Sequence, residues 1–177
     1  MQTLIIGGGS FKNKAWVDEL KTQLEPEIAT WPFYFQVWET GEGVNGLDFP
    51  LELDKALKMV GDQKFNLLCK SVGSMLGMLI LEKIPDQVEK IIVCGFPLYD
   101  FPAEDFEKYI VLNKFPTGNI LCFQNNADPH GSFAEAKSFI EKVNPDIKIV
   151  EKVAETHDYP YFQDFKDFLT KWPRWKN

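Results

Sequence analysis

The sequence of 177 residues has no apolar run of the ~18–20 residues that a membrane span requires. Its opening segment, MQTLIIGGGS, has no basic flank and only a four-residue apolar stretch, so no signal peptide is expected. Basic residues are also few: 19 Lys and Arg stand against 26 Asp and Glu, which gives a net charge of −7. Because phosphate groups repel such a chain, neither nucleic acid nor an anionic membrane is expected as a partner.

Cysteine is scarce as well. Cys69, Cys94 and Cys122 lie far apart and form no Cys-x-x-Cys pair. The interpretation is three free, buried thiols in a reducing cytoplasm, with no disulfide and no zinc site. No other metal-ligand spacing is present, so neither a metal nor a cofactor is expected. The length and the apolar fraction of 45% predict one domain over residues 1–177 that needs no such cross-link.

Short apolar runs alternate with segments of helical period along the whole chain. The pattern predicts an α/β fold, a three-layer sandwich whose mostly parallel sheet of about six strands has helices on both faces. Ligands in such folds lie beyond the carboxyl ends of the strands, so function is sought in the loops that follow strands. Strands are predicted at 3–6, 33–38, 65–69, 90–95, 119–124 and 147–151. Helices are predicted at 15–25, 51–60, 72–83, 103–112, 132–143 and 160–171.

The loop after the first strand, GGGSFKNK, resembles a phosphate-binding loop only in its glycines. No Gly-Lys-Ser or Gly-Lys-Thr follows at the spacing of a Walker loop, and Lys12 stands where a dinucleotide fingerprint needs its third glycine. A flavodoxin-like or Rossmann-like nucleotide binder therefore remains an alternative rather than the main prediction.

The third predicted strand runs directly into Ser71 and a buried helix. A serine on a sharp turn between a strand and a helix has an exposed hydroxyl, and small residues are needed two positions before and after it. Gly73 fills the later position and Cys69 the earlier one. The alternative interpretation is that Ser71 only caps the helix that follows.

A nucleophilic serine needs a base, and the base needs a carboxylate that orients it. The chain has only two histidines, and each lies in a loop after a predicted strand. His157 is the expected base, because His130 shares a turn with the expected acid, Asp128. Asp100, which follows the preceding strand, is the second candidate for the acid.

The serine turn and the loops that carry Asp128 and His157 resemble segments of the α/β-hydrolase superfamily. The resemblance is in particular to its small, single-domain, dienelactone-hydrolase-like serine hydrolases. Two positions depart from the family pattern, since Cys69 replaces the usual glycine and Gly7 stands where many members carry histidine. The resemblance covers nearly the whole chain and rests on the segments LIIGGGSFKN, LLCKSVGSMLG, IIVCGFPL, ILCFQNNADPHGSF and AETHDYPYF.

The resemblance implies a serine hydrolase that cleaves a small acyl ester or thioester through an acyl-enzyme intermediate. It implies Ser71 as nucleophile, Asp128 as acid and His157 as base. The implied donors to the oxyanion are the amide of Val72 and one amide from Gly8, Gly9 or Ser10. A non-catalytic binding or scaffold protein on the same fold is the rival interpretation.

Only about two dozen residues separate the fourth and fifth predicted strands, so a large lid is not expected. The candidate walls of the substrate pocket are Phe11, Phe96, Leu98, Tyr99 and Phe101.

Near the C-terminus, Trp172 and Trp175 are expected to cover the core. A contact in a homodimer is the alternative role for the two tryptophans.

Overall fold

A computed structural model describes residues 1–40 and 44–171, so the expectation for Trp172 and Trp175 lies outside the described residues. Six strands form one sheet in which every neighbouring pair is parallel. They are β1 (Gln2–Ile6), β2 (Thr30–Phe33), β3 (Phe65–Lys70), β4 (Val88–Cys94), β5 (Ile120–Asn125) and β6 (Lys148–Lys152).

The order of the strands across the sheet is β2-β1-β3-β4-β5-β6. The chain therefore proceeds in one direction from β1 to β2 and in the other direction from β3 to β6. Between β1 and β3 the loops that follow the strands diverge, which opens a crevice at the carboxyl edge of the sheet. The loop after β1 and the loop after β3 border this crevice.

The helices are α1 (Lys12–Leu24), α2 (Val37–Thr40), α3 (Phe49–Val60), α4 (Val72–Lys83), α5 (Phe133–Val143) and α6 (Phe162–Thr170). Short 3₁₀ segments are Val44–Gly46, Pro85–Gln87, Ala103–Lys114 and Thr117–Asn119. Helix α1 packs against α6. Helix α4 packs against α3 and against the segment Ala103–Lys114, which also contacts α5. All six residues of β3 are buried. Since successive strand residues face opposite sides, β3 is covered on both faces, which confirms the predicted three-layer α/β architecture.

The second strand is not where the sequence predicts it. The apolar run at 33–38 predicts a strand, but β2 pairs with β1 over Thr30–Phe33 and the chain then turns into α2. Trp38 therefore lies in α2 and not in the sheet, and its indole nitrogen donates a hydrogen bond to the carbonyl of Gly9. A short apolar run does not distinguish a strand from a helical turn, and the pairing with the buried β1 decides here.

The helix predicted at 103–112 is also different, because the segment Ala103–Lys114 forms 3₁₀ turns. The helix predicted at 72–83 is confirmed as α4, and it is buried on nearly all sides, as its apolar composition indicates. Within 1–40 and 44–171, no helix combines the length and the apolar character that crossing a bilayer would take.

Candidate active site

The turn between β3 and α4 holds Ser71 in an unusual backbone conformation, with φ 55° and ψ −132°. Ser71 is the one residue other than glycine with a positive φ in the described part of the chain. Such a conformation costs of order 1–3 kcal/mol and persists only where the surroundings enforce it. Here the amide of Ser71 donates to the carbonyl of Cys94 at 3.0 Å, and its own carbonyl accepts from the amide of Ser74 at 2.8 Å.

Two glycines provide the space for this turn. A Cβ atom on Gly73 would lie 2.3 Å from the carbonyl oxygen of Gly7, so the first turn of α4 approaches β1 as closely as backbone allows. A Cβ atom on Gly77 would lie 2.6 Å from the Sγ atom of Cys69. Cys69 is larger than the glycine usual at this position, and Gly77, one helical turn after Gly73, leaves room for its side chain.

His157 and Asp128 form a hydrogen-bonded pair in the loops after β6 and β5. Nδ1 of His157 lies 2.9 Å and 2.8 Å from the two carboxylate oxygens of Asp128. The side chain of Asp128 is fully buried, and that of His157 is 17% exposed. Because a carboxylate accepts and does not donate, the bond places the proton of a neutral His157 on Nδ1 and leaves Nε2 as a base.

Two further donors hold the carboxylate of Asp128. The hydroxyl of Tyr159 donates to Oδ2 at 2.5 Å, and the amide of His130 donates to Oδ1 at 2.8 Å. Burial alone would raise the pKa of Asp128, but the hydrogen bonds from His157 and Tyr159 outweigh it, so the pKa lies below its usual value. Burial also raises the pKa of the Tyr159 phenol, which keeps this donor protonated.

Ser71 and His157 open into the same cavity, of about 270 Å³, at the carboxyl edge of the sheet. Nε2 of His157 is buried and has no hydrogen-bond partner among the described residues. A buried nitrogen without a partner is energetically costly, so its presence in a residue that shares a cavity with a serine in a strained turn indicates a site built for a ligand. The cavity is lined by Gly9, Ser10, Asn13, Asn45, Ser71, Val72, Asp100, His130 and His157.

Side chains from two helices fix the loop after β1. The indole nitrogen of Trp38 donates to the carbonyl of Gly9 at 3.0 Å, and Nδ2 of Asn13 donates to the carbonyl and the hydroxyl of Ser10 at 3.1 and 3.0 Å. Since C=O and N–H point in opposite directions across a trans peptide, the bond from Trp38 turns the amide of Ser10 away from the indole. Among the described residues, the amides of Ser10 and Val72 donate to no acceptor.

A buried lysine connects this loop to the turn at Ser71. Lys70 directly precedes Ser71, and its amine donates to Oδ1 of Asn13 at 3.0 Å. The same amine lies 5.4 Å from the centre of the Trp16 ring. Burial lowers the pKa of Lys70, and the bond to Asn13 supplies one partner for the charge. The side chain of Asn13 thus joins β3 to the loop after β1.

Comparison of the sequence finds no family model that matches the chain and no curated protein with significant similarity. Comparison of the structure finds α/β-hydrolases. The pyrethroid hydrolase PytH superposes with a TM-score of 0.69 at 13% identity, over 96% of this chain and 96% of that one. An extracellular α/β-hydrolase from a Paenibacillus species gives a TM-score of 0.66 at 13% identity, over 98% and 99%. A lidless α/β serine hydrolase from Xanthomonas campestris gives 0.64 at 13% identity, over 94% and 78%.

The chain has the α/β-hydrolase fold. The resemblance found in the sequence is confirmed at this level, and the dienelactone-hydrolase-like subtype stays a prediction. Catalytic triads on the α/β-hydrolase fold follow the chain order serine, acid, histidine, with the serine on a turn between a strand and a helix. Ser71, Asp128 and His157 have this order, and Ser71 occupies such a turn.

None of the five side chains predicted to wall the substrate pocket lines the cavity at Ser71. Phe96 is fully buried in the core against Tyr109 and Phe139, so it cannot reach a ligand there. Phe11 is 63% exposed and Tyr99 is 60% exposed, and the hydroxyl of Tyr99 contacts Glu135 on the surface.

Leu98 and Phe101 line a different, apolar groove of about 380 Å³. This groove lies between the segment Ala103–Lys114 and α5.

The sequence prediction did not include the residues that support the site. Tyr159 follows His157 by two positions, and its aromatic ring carried no signal that distinguished it from core packing. Asn13, Trp38 and Lys70 act through contacts that join segments far apart in the chain. A lysine between a predicted buried strand and a predicted buried helix is the one feature here that could have been recognised, since buried lysines are rare.

Proposed function

We propose that this chain is a serine hydrolase that cleaves small acyl esters, or thioesters, through Ser71, His157 and Asp128. The observation that carries the proposal is the buried Nε2 of His157, which has no partner in the described structure, in a residue that lines the same cavity as Ser71. The other ring nitrogen is held by Asp128. The structural matches to esterases and lipases support a hydrolase.

The first step forms an acyl-enzyme. The hydroxyl of Ser71 attacks the acyl carbon while its proton passes to Nε2 of His157, and the carbonyl π electrons move to the oxygen. The resulting imidazolium keeps its proton on Nδ1, which donates a hydrogen bond to the carboxylate of Asp128. The tetrahedral intermediate then collapses, the bond to the leaving oxygen breaks, and His157 returns its proton to the leaving alcohol or thiol.

Backbone amides stabilise the negative oxygen of the intermediate. The amide of Val72 follows the nucleophile directly, and the amide of Ser10 is turned away from Trp38 by the bond to the carbonyl of Gly9. Of the three loop residues that the sequence left open, Ser10 is the one whose amide is oriented in this way. Loss of one such donor costs roughly 3–4 kcal/mol of transition-state stabilisation.

Water completes the cycle by the same route. His157 removes a proton from the water as its oxygen attacks the acyl carbon, and the serine oxygen leaves with the proton returned from His157. The products are the free acid and Ser71. A cavity of about 270 Å³ fits a short acyl group rather than a long chain.

Covalent labelling with a fluorophosphonate, mapped by mass spectrometry, tests the proposal. The expected result is an adduct on Ser71 that is absent in Ser71→Ala and at least 10²-fold slower in His157→Ala. Ser138, on the exposed side of α5, supplies the matched control, because Ser138→Ala should label at the wild-type rate. Hydrolysis of short-chain esters is then measured with the same variants.

Failure to label Ser71, under conditions that label a known serine hydrolase, would overturn the proposal. That result would favour the scaffold alternative, in which the fold is kept and the hydroxyl is unreactive. A nucleotide-binding role has less support: flavodoxin-like folds share the strand order β2-β1-β3-β4-β5, but the backbone conformation of Ser71 and the structural matches point to a hydrolase. The cytoplasmic location and a homodimer stay predictions.

A further inference from the structure

A second Asp–His pair borders the cavity, and the mechanism proposed above does not use it. Nδ1 of His130 lies 2.7 Å from Oδ2 of Asp100. Both residues line the cavity at Ser71, with side chains 39% and 33% exposed. From the sequence, Asp100 is an alternative acid for His157, but in the structure Asp100 pairs with His130.

His130 is fixed on several sides. Its amide donates to Asp128 at 2.8 Å, its carbonyl accepts from the amide of Tyr99 at 3.1 Å, and its ring is held by Asp100. The ring centre lies 4.2 Å from that of His157. A histidine that serves only solubility needs none of these contacts, so the arrangement indicates a side chain positioned for a ligand.

The bond to Asp100 decides which atom of His130 faces a ligand. Because the carboxylate accepts from Nδ1, the nitrogen that remains for a ligand is Nε2, an acceptor in the neutral ring. In the proposed mechanism His157 protonates the leaving group, so the leaving group lies against His157 and its neighbour His130. The amides of Ser10 and Val72 are on the part of the cavity that holds the acyl oxygen.

Charge restricts which leaving groups can bind beside His157 and His130. Each imidazole ring binds a carboxylate through Nδ1: Asp128 is buried behind His157, and Asp100 itself lines the cavity beside His130. The described lining of the cavity includes no lysine or arginine. An anionic leaving group would meet these carboxylates, while the nearby cation, the amine of Lys70, is not part of the lining and donates to Asn13 instead. A purely apolar leaving group would cover Nε2 of His130 and leave it without a hydrogen bond. A neutral hydroxyl satisfies both conditions, because it donates to Nε2 and carries no charge.

We infer that His130, positioned by Asp100, binds a hydroxyl on the alcohol portion of the substrate. The preferred substrates are then esters of diols or polyols rather than of simple alcohols. This inference rests on the proposed function, since it assigns a substrate class to the same site.

Two butyrate esters with alcohols of matched size test the inference: 2-hydroxyethyl butyrate and propyl butyrate. For the wild type, kcat/KM for the hydroxyethyl ester should exceed that for the propyl ester by about 10-fold, the effect of one well-placed hydrogen bond. In His130→Leu this ratio should fall to about 1. The ratio is its own control, because a general disturbance of the site lowers both rates together.

Asp100 variants separate positioning from mere structural support. Asp100→Asn keeps an oxygen that accepts from Nδ1, so it should retain most of the preference for the hydroxyethyl ester. Asp100→Ala removes the acceptor and should lower the ratio toward that of His130→Leu. Asp100→Leu keeps the bulk of the side chain but offers no acceptor, so it should lower the ratio as Asp100→Ala does. If Asp100 only fills space, Asp100→Leu should instead retain the preference.

A wild-type ratio near 1, or a ratio that His130→Leu leaves unchanged, would overturn this inference while the hydrolase remains. A protein that hydrolyses neither ester and fails to label at Ser71 would overturn the proposed function and this inference with it. If Ser71 labels but turnover is too slow to measure, protection of Ser71 by each ester gives the ratio of their binding affinities instead, and the hydroxyethyl ester should protect better. Equal protection by both esters would then count against the inference.

Discussion

The two Asp–His pairs at the cavity have almost the same shortest separation but different surroundings. The shortest separation is 2.8 Å for Asp128 and His157 and 2.7 Å for Asp100 and His130. The side chain of Asp128 is fully buried, whereas that of Asp100 is 33% exposed. Since electrostatic interactions strengthen when water is excluded, equal distances do not mean equal energies. The comparison teaches that burial, rather than distance, separates the pair proposed for catalysis from the pair proposed for binding.

The number of donors also separates the pairs. Asp128 accepts from His157, from Tyr159 and from the amide of His130. Because His130 belongs to the other pair, Asp128 connects the two. A change at Asp128 therefore affects both histidines, whereas a change at Asp100 reaches His157 only through His130.

Removing each histidine should give the largest contrast. His157→Ala loses the base, and kcat/KM for a short-chain ester should fall by about 10⁴-fold or more. His130→Leu loses one hydrogen bond to substrate, and the fall should be about 10-fold for the hydroxyethyl ester. Steady-state kinetics on both variants, with thermal unfolding as a check of folding, measures the contrast. Losses of equal size would show that the two pairs cooperate in catalysis.

Neutralising each carboxylate is the next test, and it decides between the two candidate acids. Asp128→Asn disturbs the tautomer of His157, so kcat should fall by about 10⁴-fold. Asp100→Asn can still accept from His130, and a loss of about 3-fold is expected. The two variants differ by the same atom, so each is the control for the other. The reverse order would make Asp100 the catalytic acid, against the contacts seen here.

The sequence was sufficient to place the three proposed catalytic residues in loops after strands, because alternation of strands and helices fixes which end of the sheet carries them. It was not sufficient to pair the carboxylates with the histidines. Asp100 and Asp128 both follow strands that neighbour each other, so either could reach His157 on sequence alone. The choice depends on how the chain turns at His130, whose amide binds Asp128 and whose ring binds Asp100.

The contacts that support the loop after β1 could not be predicted from the sequence either. Trp38 lies in a run that predicts a strand, and only the pairing of β2 with β1 shows that it leaves the sheet to contact Gly9. The space that Gly77 provides for Cys69 likewise depends on how α4 packs on β3. Hydrophobic periodicity and composition are enough to predict the fold. These side-chain contacts depend instead on how the strands and helices pack on one another.

Removing the hydroxyl of Tyr159 should weaken the buried pair alone. Tyr159→Phe takes one donor from Asp128 and the partner of the Asn125 amide, which lies 3.3 Å from that hydroxyl. A hydrogen bond to a buried charge contributes about 1.5–3 kcal/mol, so the free energy of unfolding should fall by about that amount and kcat by about 10-fold. Urea unfolding gives the first value. Tyr99→Phe is the control for stability, since its hydroxyl contacts Glu135 at the surface. Equal losses in the two variants would contradict a special role for the buried pair.

The smallest effect is expected in the pH dependence of stability. The pKa of Asp128 is lowered in the folded protein, so its carboxylate stabilises the fold fully above the unfolded pKa of about 3.9, and this contribution is lost as the pH falls through the folded value. The free energy of unfolding, measured in urea between pH 3 and pH 7 for wild type and Asp128→Asn, should therefore differ most at neutral pH and converge in acid. Curves that stay parallel would mean that folding does not favour the charged form of Asp128. The hydrogen bonds from His157 and Tyr159 would then fail to outweigh burial, and the distinction between the two pairs would rest on position alone.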